Sequence, residues 1–192
     1  MKNRKRNRML GYDYSQNNLY FVTICVQDRK CCFGAIVGTG RDLSVLSVPN
    51  QNPAHNQNPA HNGNCSANAI TKIMQRNQYG TIAHDRLVWL ENQYVYVFLH
   101  SYIVMPNHVH AIIEIDSDRT SEQSIKIKSL SELVGAYKTT SSKQIHLAGL
   151  SGFAWQRSFH DHIIRNVASY ERISNYIETN QERWNTDTFF EN

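Results

Sequence analysis

The most strongly apolar stretch of the chain, 102–115, predicts a β-strand that carries two histidines. β-branched residues lie on both sides of a Pro-Asn pair, which marks a turn into the strand. Side chains on a strand alternate between its two faces, so His108 and His110 point the same way and Val109 points to the other face. Two imidazoles side by side on a rigid strand supply half of a divalent-metal site. A purely structural role for the pair is the alternative.

Periodicity along the rest of the chain predicts alternating strands and helices. In the first half of the chain we expect a strand at 19–26, a helix within 67–92 that breaks near 79–80, a strand at 94–105 and then the histidine strand. In the second half we expect a helix that is opened by a capping box at 129–132 and ends near 146. A short strand at about 153–159 and a last helix over about 169–184 follow. The order β-α-β-β-α-β is the ferredoxin-like (RRM-like) arrangement. The predicted fold class is α+β, an antiparallel sheet with helices on one face plus a C-terminal helix.

The length of 192 residues suits a single domain with one low-complexity insertion. Over 38–63 the sequence turns to Asn, Gln, Pro, Ser and Gly, and it contains a direct hexapeptide repeat at 51–62. Repeats of this composition cannot build a core, so we expect a flexible insertion. Its histidines, His55 and His61, are accordingly poor candidates for chemistry.

Positive charge is concentrated at the N-terminus of the chain. The net charge is +4, and five of the first eight residues are basic. That density favours contacts with phosphate groups, although a solvated tail is an equal alternative on charge alone. No apolar run is long enough to span a membrane, the N-terminus lacks a signal-peptide core, and the four cysteines form no C-x-x-C pair. We therefore expect a cytoplasmic, reduced protein that does not enter a membrane.

The last predicted helix carries a second candidate set, Tyr176 and Asn180. Residues four apart lie on one face of a helix, one turn above the other. A phenolic oxygen can act as a covalent nucleophile where a metal or positive field favours its anion, and an amide oxygen is a ligand for hard divalent cations. If this helix packs across the histidine strand, His108, His110 and Asn180 surround one metal with Tyr176 beside it. For Tyr176, a half-buried aromatic residue is the alternative.

Four segments together resemble the REP-associated tyrosine transposases, of the IS200-type transposase family and the single-tyrosine HUH endonuclease superfamily. The run 105–110 resembles the HUH motif, in which two histidines flank a hydrophobic residue. The other three segments are 11–25, 155–165 and 176–180. The ordered set spans nearly the whole chain apart from the repeat insertion, whereas any single segment would be a weak signal.

The resemblance implies a Mg²⁺- or Mn²⁺-dependent enzyme that cuts single-stranded DNA beside hairpin repeats and rejoins it, in DNA transposition or repeat dissemination. In such proteins the tyrosine attacks the scissile phosphorus, which leaves a 5′-phosphotyrosine and a free 3′-hydroxyl. By motif, Tyr176 of the C-terminal catalytic helix is the nucleophile. His108, His110 and Asn180 are then the metal ligands, in a monomer or a homodimer. The family's helix usually continues Asn-Pro, whereas Gln181 follows here.

Basic and aromatic residues supply candidate contacts to DNA. The segment 1–18 most resembles the part with which family members recognise their repeat hairpin, and basic residues interleaved with tyrosines suit phosphate contacts and base stacking. Lys126 and Lys128 could join this surface, and Trp155 and Phe159 could stack on bases. The predicted DNA-binding residues are Arg4, Lys5, Arg6, Arg8, Tyr12, Tyr14, Lys138, Lys143, Arg157 and Arg165.

Several residues compete for the same roles. His160 and His162 form a second His-x-His pair, which we interpret as packing or substrate contact. Tyr137 is the main rival nucleophile, but it lacks an amide one turn later. Glu114 shares the face of the first histidine pair, so it could accept a hydrogen bond from one of them or simply end the strand in solvent.

Two other classes of protein remain open. A catalytically silent protein of the same fold would bind hairpin DNA without forming a covalent adduct, and the complete set of site residues argues against it. A histidine-triad phosphoesterase acting on nucleotides would need a third histidine where this chain has Ile112. An RNA-binding module of this fold would not need paired histidines.

The N-terminal segment offers a first test. Deletion of residues 1–10 should weaken binding to a repeat hairpin and flatten its salt dependence, because fewer phosphates are neutralised and fewer counterions are released. Fluorescence anisotropy titrations of a labelled hairpin at several salt concentrations measure both quantities. Unchanged affinity and slope would remove this segment from the DNA-binding surface.

Overall fold

The computed structural model describes residues 9, 11–39, 71–120 and 125–190, which contain six strands and three α-helices. None of these helices has the length and apolarity needed to cross a membrane. In chain order the elements are β1 (Asn18–Cys25), β2 (Gly34–Thr39), β3 (Thr71–Arg76), α1 (Gln78–Gln93), β4 (Val97–Val104), β5 (His108–Ile115), α2 (Leu130–Leu147), β6 (His160–Ile164) and α3 (Val167–Glu178).

A four-stranded antiparallel sheet in the order β4-β5-β1-β6 forms the centre of the molecule. β5 pairs with β4 on one side and with β1 on the other, and β1 also pairs with β6. When the separate β2–β3 pair is set aside, the elements follow the predicted order β-α-β-β-α-β, with α3 after them. The predicted α+β fold class is therefore confirmed.

The two faces of the sheet bury different sets of side chains. The odd-numbered residues of β5 join the main core with Leu87 of α1 and Leu133 of α2. On the opposite face, Ile112 packs against Ile173 and Ile177 of α3. Burial on both faces explains why the sequence of this strand is a nearly continuous apolar run. The histidines lie on the α3 face.

Side-chain caps determine where the first two helices begin. Asn77 Oδ1 accepts hydrogen bonds from the amides of Tyr79 and Gly80, both at 3.0 Å, so α1 begins directly after it. The capping box predicted before α2 is confirmed. Ser129 Oγ accepts from the Glu132 amide at 3.4 Å, and the Glu132 carboxylate accepts from the Ser129 amide at 2.8 Å.

A β-hairpin that the sequence pattern did not predict precedes α1. β2 and β3 pair antiparallel along their whole length. The predicted helix within 67–92 is therefore wrong in its first piece, because 71–76 is a strand and only the part after Asn77 is helical. The strand forms because it has a partner on the other side of the insertion, and a non-local partner overrides local preference. The predicted insertion 38–63 starts inside β2, and 40–63 lies outside the described residues.

The strand predicted at 153–159 forms later in the chain, as β6. The aromatic residues of that segment enter the core instead: Phe153 and Trp155 pack against Phe33, with ring centroids 5.7 and 5.3 Å away. Trp155 Nε1 also donates a hydrogen bond to the buried Ser141 hydroxyl at 3.0 Å. Burial of large aromatic side chains thus decides the path of this segment.

Helix α3 begins and ends earlier than the predicted 169–184. The Asn166 side chain accepts a hydrogen bond from the Ser169 amide at 2.8 Å and caps the start of the helix. Glu178 is the last helical residue, and the chain then continues in turns through 190, with a short 3-10 helix at Trp184–Thr186.

Tyr137 provides a test of the packing of α2. Its side chain is fully buried, and its hydroxyl has no hydrogen-bond partner among the described residues. Because an unpaired buried hydroxyl costs about 1–3 kcal/mol, Tyr137→Phe should keep or raise the free energy of unfolding. Tyr20→Phe is the matched control, since the buried Tyr20 hydroxyl donates to the Gln16 carbonyl at 3.1 Å and its loss should cost about 1 kcal/mol. Denaturant titrations measure the free energy of unfolding of both variants, and an equal loss in Tyr137→Phe and Tyr20→Phe would contradict the prediction.

Candidate active site

His108 and His110 lie on the α3 face of β5 and direct one nitrogen each at a common point. Their Nε2 atoms are 3.1 Å apart, and both side chains are almost fully buried. In the sheet they lie opposite Cys25 and Thr23 of β1. The predicted shared face is confirmed, and a strand with neighbours on both sides holds the two rings on a rigid support.

Hydrogen bonds at the outer nitrogens orient both imidazole rings. The Asn107 side-chain amide donates to two backbone carbonyls at 2.9 and 2.8 Å, which leaves its Oδ1 to accept from His108 Nδ1 at 2.8 Å. Since His108 Nδ1 carries the proton, its Nε2 presents a lone pair to the site. Thr23 Oγ1 lies 2.9 Å from His110 Nδ1. Partners of this kind at the outer nitrogen are the usual support of metal-binding histidines.

Burial keeps both imidazoles neutral. Loss of hydration lowers the pKa of His108 to about 3, with a smaller contribution from the Arg29 guanidinium. The pKa of His110 is held well below its ordinary value by the same loss of hydration and by the neighbouring His108. Because the neutral imidazole is the form that binds metals, the pair is ready to coordinate a cation near neutral pH.

Asp187 brings a carboxylate to the histidine pair, and Asn180 is hydrogen-bonded to that carboxylate. The Asp187 carboxylate and the two histidines have ligand atoms within 4.8 Å of one another. Asn180 Nδ2 donates to Asp187 Oδ2 at 2.8 Å, whereas Asn180 Oδ1 is buried without a hydrogen-bond partner among the described residues. A buried acceptor without a partner is unfavourable, and a cation held by two imidazoles, a carboxylate and this amide oxygen satisfies it. The residues present therefore fit a divalent metal.

Asp187 was missed by sequence reasoning. It follows the end of α3 in a segment without helical or strand periodicity, and a single acidic residue there forms no motif. The chain reaches the site through the 3-10 turn Trp184–Thr186. Asp187 Oδ1 accepts a hydrogen bond from the Phe189 amide at 2.8 Å, which fixes the carboxylate in this turn. The one signal in the sequence was the aromatic content of 184–190, which indicates a segment that packs onto the domain.

The Tyr176 hydroxyl reaches the histidine pair from α3 of the same chain. It lies 3.3 Å from His110 Nε2, and the two ring centroids are 5.2 Å apart. Burial, followed by the Asp187 carboxylate, raises the pKa of Tyr176, while Asn180 and Arg183 act in the opposite direction. The sequence-predicted set of Tyr176, two histidines and Asn180 is thus brought together in one place.

An aromatic segment after α3 covers the histidines. The ring centroid of Phe189 lies 4.8 Å from that of His108, and the centroid of Trp184 lies 6.0 Å from it. Arg29 anchors this segment: its guanidinium lies 5.4 Å from the Phe189 ring centroid and donates a hydrogen bond to the Thr188 carbonyl at 3.0 Å. These contacts account for the burial of residues that would otherwise face solvent.

The predicted basic DNA contacts lie in different surroundings. Lys138 is engaged inside the protein, where its ammonium group donates to the carbonyls of Gln156 and Ser158 at 2.8 and 3.0 Å. Three other basic residues are exposed, namely Lys143, Arg157 and Arg165. The remaining four, Arg4, Lys5, Arg6 and Arg8, lie outside the described residues. Contact of these residues with DNA stays a prediction.

The aromatic residues predicted to stack on bases pack mainly within the protein. Tyr12 and Tyr14 meet edge to face with ring centroids 4.9 Å apart, and the Tyr12 hydroxyl accepts a hydrogen bond from Asn18 at 3.0 Å. Tyr14 is buried, whereas Tyr12 is partly exposed. Trp155 and Phe159 are both buried in the core, so the interpretation that they stack on DNA is wrong.

The residues that competed for catalytic and metal-binding roles lie elsewhere. His160 and His162 are on the edge strand β6, and they do not belong to the group of described residues that could hold a metal ion. Tyr137 is enclosed in the core. Glu114 accepts a hydrogen bond from His100 Nε2 at 2.9 Å, so the histidine that it orients is not one of the metal-site pair.

Comparison with known proteins supports the fold. No family model matches the chain. A protein from Haemophilus influenzae, described as uncharacterized, is 25% identical to this chain in an alignment 205 residues long, gaps included. The alignment covers 97% of this chain and 93% of that relative. A solved structure of a REP-associated tyrosine transposase bound to a REP hairpin aligns with a TM-score of 0.51 and 15% identity, over 92% of this chain and 73% of that one. A candidate transposase from Deinococcus radiodurans aligns with a TM-score of 0.43 and 17% identity, over 91% and 96% of the two chains.

At these identities the likeness concerns the architecture of the chain. The protein folds like a REP-associated tyrosine transposase, as its sequence motifs led us to expect.

The converging ligand atoms predict stabilisation by a divalent metal. Mn²⁺ should raise the melting temperature. At a concentration one hundred times its Kd, it should add about 2.7 kcal/mol to the free energy of unfolding. The His108→Ala/His110→Ala variant should lose this gain, whereas His84→Ala, which removes an imidazole on α1, should keep it. Thermal unfolding with and without Mn²⁺ makes the comparison. If Mn²⁺ stabilised the His108→Ala/His110→Ala variant as much as His84→Ala, the metal would bind at another site.

Proposed function

We propose that this protein is a transposase of the single-tyrosine HUH type, a metal-dependent single-stranded DNA endonuclease and strand transferase. It cuts near repeat hairpins in DNA transposition or repeat dissemination. Tyr176 forms a 5′-phosphotyrosine intermediate, and His108, His110 and Asn180, joined by Asp187, hold Mg²⁺ or Mn²⁺. The observation that carries the proposal is the Tyr176 hydroxyl, 3.3 Å from His110 Nε2 beside a buried set of metal-ligand atoms.

The donor set of the site suits Mg²⁺ or Mn²⁺. Carboxylate and amide oxygens are ligands of hard cations, and imidazole nitrogens are accepted by Mn²⁺ and later transition metals. When bound, such a metal polarises a phosphate oxygen and stabilises the charge that develops during phosphoryl transfer. The hydrogen bond that His108 donates to Asn107 and the one between His110 and Thr23 hold the imidazoles in their ligating orientation beforehand.

The proposed step exchanges one phosphoester for another. The phenolic oxygen of Tyr176 loses its proton and forms a bond to the scissile phosphorus, while the bond from phosphorus to the 3′-oxygen breaks. The 3′-oxygen takes up a proton and leaves as a hydroxyl, which can later attack the phosphotyrosine and reverse the step. Since burial and Asp187 raise the pKa of Tyr176, the phenol stays protonated at neutral pH, and Arg183 partly offsets this effect.

Single-stranded DNA with REP-like hairpins is the proposed partner. The REP-associated transposase of similar fold was solved bound to a REP hairpin. In this chain, the exposed Lys143, Arg157 and Arg165 offer positive charge to phosphates. Tyr176 and the metal ligands come from a single chain, so a monomer suffices for the proposed chemistry.

Covalent capture tests the proposal. A labelled hairpin from the protein's own locus, with single-stranded flanks and Mn²⁺, should give a protein–DNA band that survives denaturing electrophoresis. Tyr176→Phe should abolish the band because the attacking oxygen is gone. Tyr137→Phe should keep it, because that variant removes a tyrosine hydroxyl enclosed in the core.

An adduct that persists in Tyr176→Phe would exclude this tyrosine as the nucleophile. Hairpin binding without any adduct, with Mn²⁺ or Mg²⁺ and with several flanking sequences, would support instead a catalytically silent hairpin-binding protein of the same fold.

A further inference from the structure

Strand β4 contains a β-bulge that turns two consecutive side chains to the α3 face. Leu99 pairs with Ile113 and Tyr102 with Ala111, so two residues of β4 lie opposite one of β5. The two are His100 and Ser101. In a regular strand they would point to opposite faces, but both contact α3: His100 Nδ1 lies 3.2 Å from the Tyr170 hydroxyl, and Ser101 Oγ donates to Glu178 at 3.4 Å.

The bulge completes a row of three hydrogen-bonded side chains, Tyr170, His100 and Glu114. Because a carboxylate only accepts, His100 Nε2 donates to Glu114 Oε2 at 2.9 Å. In the neutral ring Nδ1 is then an acceptor, and it receives the Tyr170 hydroxyl proton. Glu114 Oε1 has no hydrogen bond to the described residues, and the Glu114 side chain is 32% exposed. The row therefore presents one carboxylate oxygen as an acceptor to solvent.

This row forms one wall of a cavity of about 810 Å³ beside the first turn of α3, which we call the α3 cavity. Leu19 and Ile164 supply apolar surface next to the polar row. Apolar walls with a few convergent polar groups, at a volume of about 300–1,000 Å³, are typical of small-molecule sites. A second cavity of about 500 Å³ shares Arg165 and Asn166 with it and is also lined by Arg172. An aromatic and hydrogen-bonding pocket thus adjoins one that is lined by two arginines and by Asp161.

We infer that the α3 cavity binds a nucleobase of the DNA strand that Tyr176 attacks, while Arg165 and Arg172 contact the adjoining phosphates. This inference rests on the proposed function. Tyr170 and Tyr176 are six residues apart on one helix, about 9 Å at 1.5 Å per residue. That axial distance is comparable to a few nucleotides of a DNA strand, for which the rise within a duplex is about 3.4 Å per nucleotide. The cavity is accordingly within reach of the strand that enters the active site.

The chemistry of the wall indicates which bases it accepts. A carboxylate oxygen accepts a hydrogen bond from an exocyclic amino group, which cytosine, adenine and guanine carry and thymine lacks. Thymine has no exocyclic amino group: with its major-groove edge toward Glu114 Oε1 it would place a carbonyl oxygen or a methyl group there, and its one N–H donor, at N3, would be directed elsewhere. We therefore expect discrimination against thymine at one position a few nucleotides from the cleaved bond.

Base preference in binding and in cleavage tests the inference. The probes are hairpins with single-stranded flanks in which each position within six nucleotides of the hairpin carries, in turn, each of the four bases or an abasic site. The wild-type protein should bind the thymine and abasic probes about tenfold more weakly at one position. Glu114→Gln, whose amide can also donate to a carbonyl, should remove the discrimination against thymine at that position alone. Glu171→Gln makes the same change of charge on α3, outside the cavity lining, and should behave like the wild type.

Anisotropy measures binding without metal, and the covalent adduct measures cleavage with Mn²⁺. The base-binding cavity and the tyrosine nuclease can therefore fail separately. Discrimination in binding without any adduct would sustain the base-binding cavity and overturn the tyrosine nuclease. An adduct with no base preference at any position, or with an equal response of Glu114→Gln and Glu171→Gln, would overturn the cavity. Absence of binding to every probe would overturn both.

Discussion

The burial of strand β5 on both faces is the constraint on which the rest of the structure depends. Its odd-numbered residues must be apolar because they build the core under α1 and α2. Its even-numbered residues face α3, and two of them are histidines that lose nearly all contact with water. A slip of one residue in register would drive both imidazoles into the apolar core, so the strand can pair in only one way. The register that builds the core also sets the position of the candidate metal ligands.

Asn107 links three parts of the chain around these histidines. Its amide nitrogen donates to the carbonyls of Arg29, after β1, and Phe189, near the C-terminus, while its oxygen accepts from His108. One side chain at the start of β5 therefore ties the ring orientation to two distant loops. Because a buried amide without these partners would be costly, the loops and the ring are held as a unit. The candidate site is consequently a product of tertiary structure, although two of its residues, His108 and His110, are near neighbours in sequence.

Elements with a strong local pattern could be predicted from the sequence, and elements that depend on distant partners could not. The alternation in β5 identified a shared face for His108 and His110. Helical spacing predicted Tyr176 and Asn180 on one helix face, but α3 ends at Glu178 and Asn180 lies in the turn that follows. β2 and β3 escaped prediction because each finds its partner across the insertion. Asp187 escaped because it reaches the site through an irregular turn, held by contacts of the aromatic residues around it. Burial of Phe153 and Trp155 kept the predicted fourth strand of the α+β order from forming at 153–159, and the fourth strand of the sheet forms later as β6.

The second His-x-His pair acquires a different meaning from its place in the sheet. β6 is a strand of five residues at the end of the sheet, and its first three positions are His160, Asp161 and His162. An edge strand can serve as a template for another chain, and short length with charged or polar side chains discourages such pairing. The same sequence pattern that places two candidate cation ligands on the central strand thus places polar side chains on the outer strand, where such side chains disfavour pairing with the edge of another sheet.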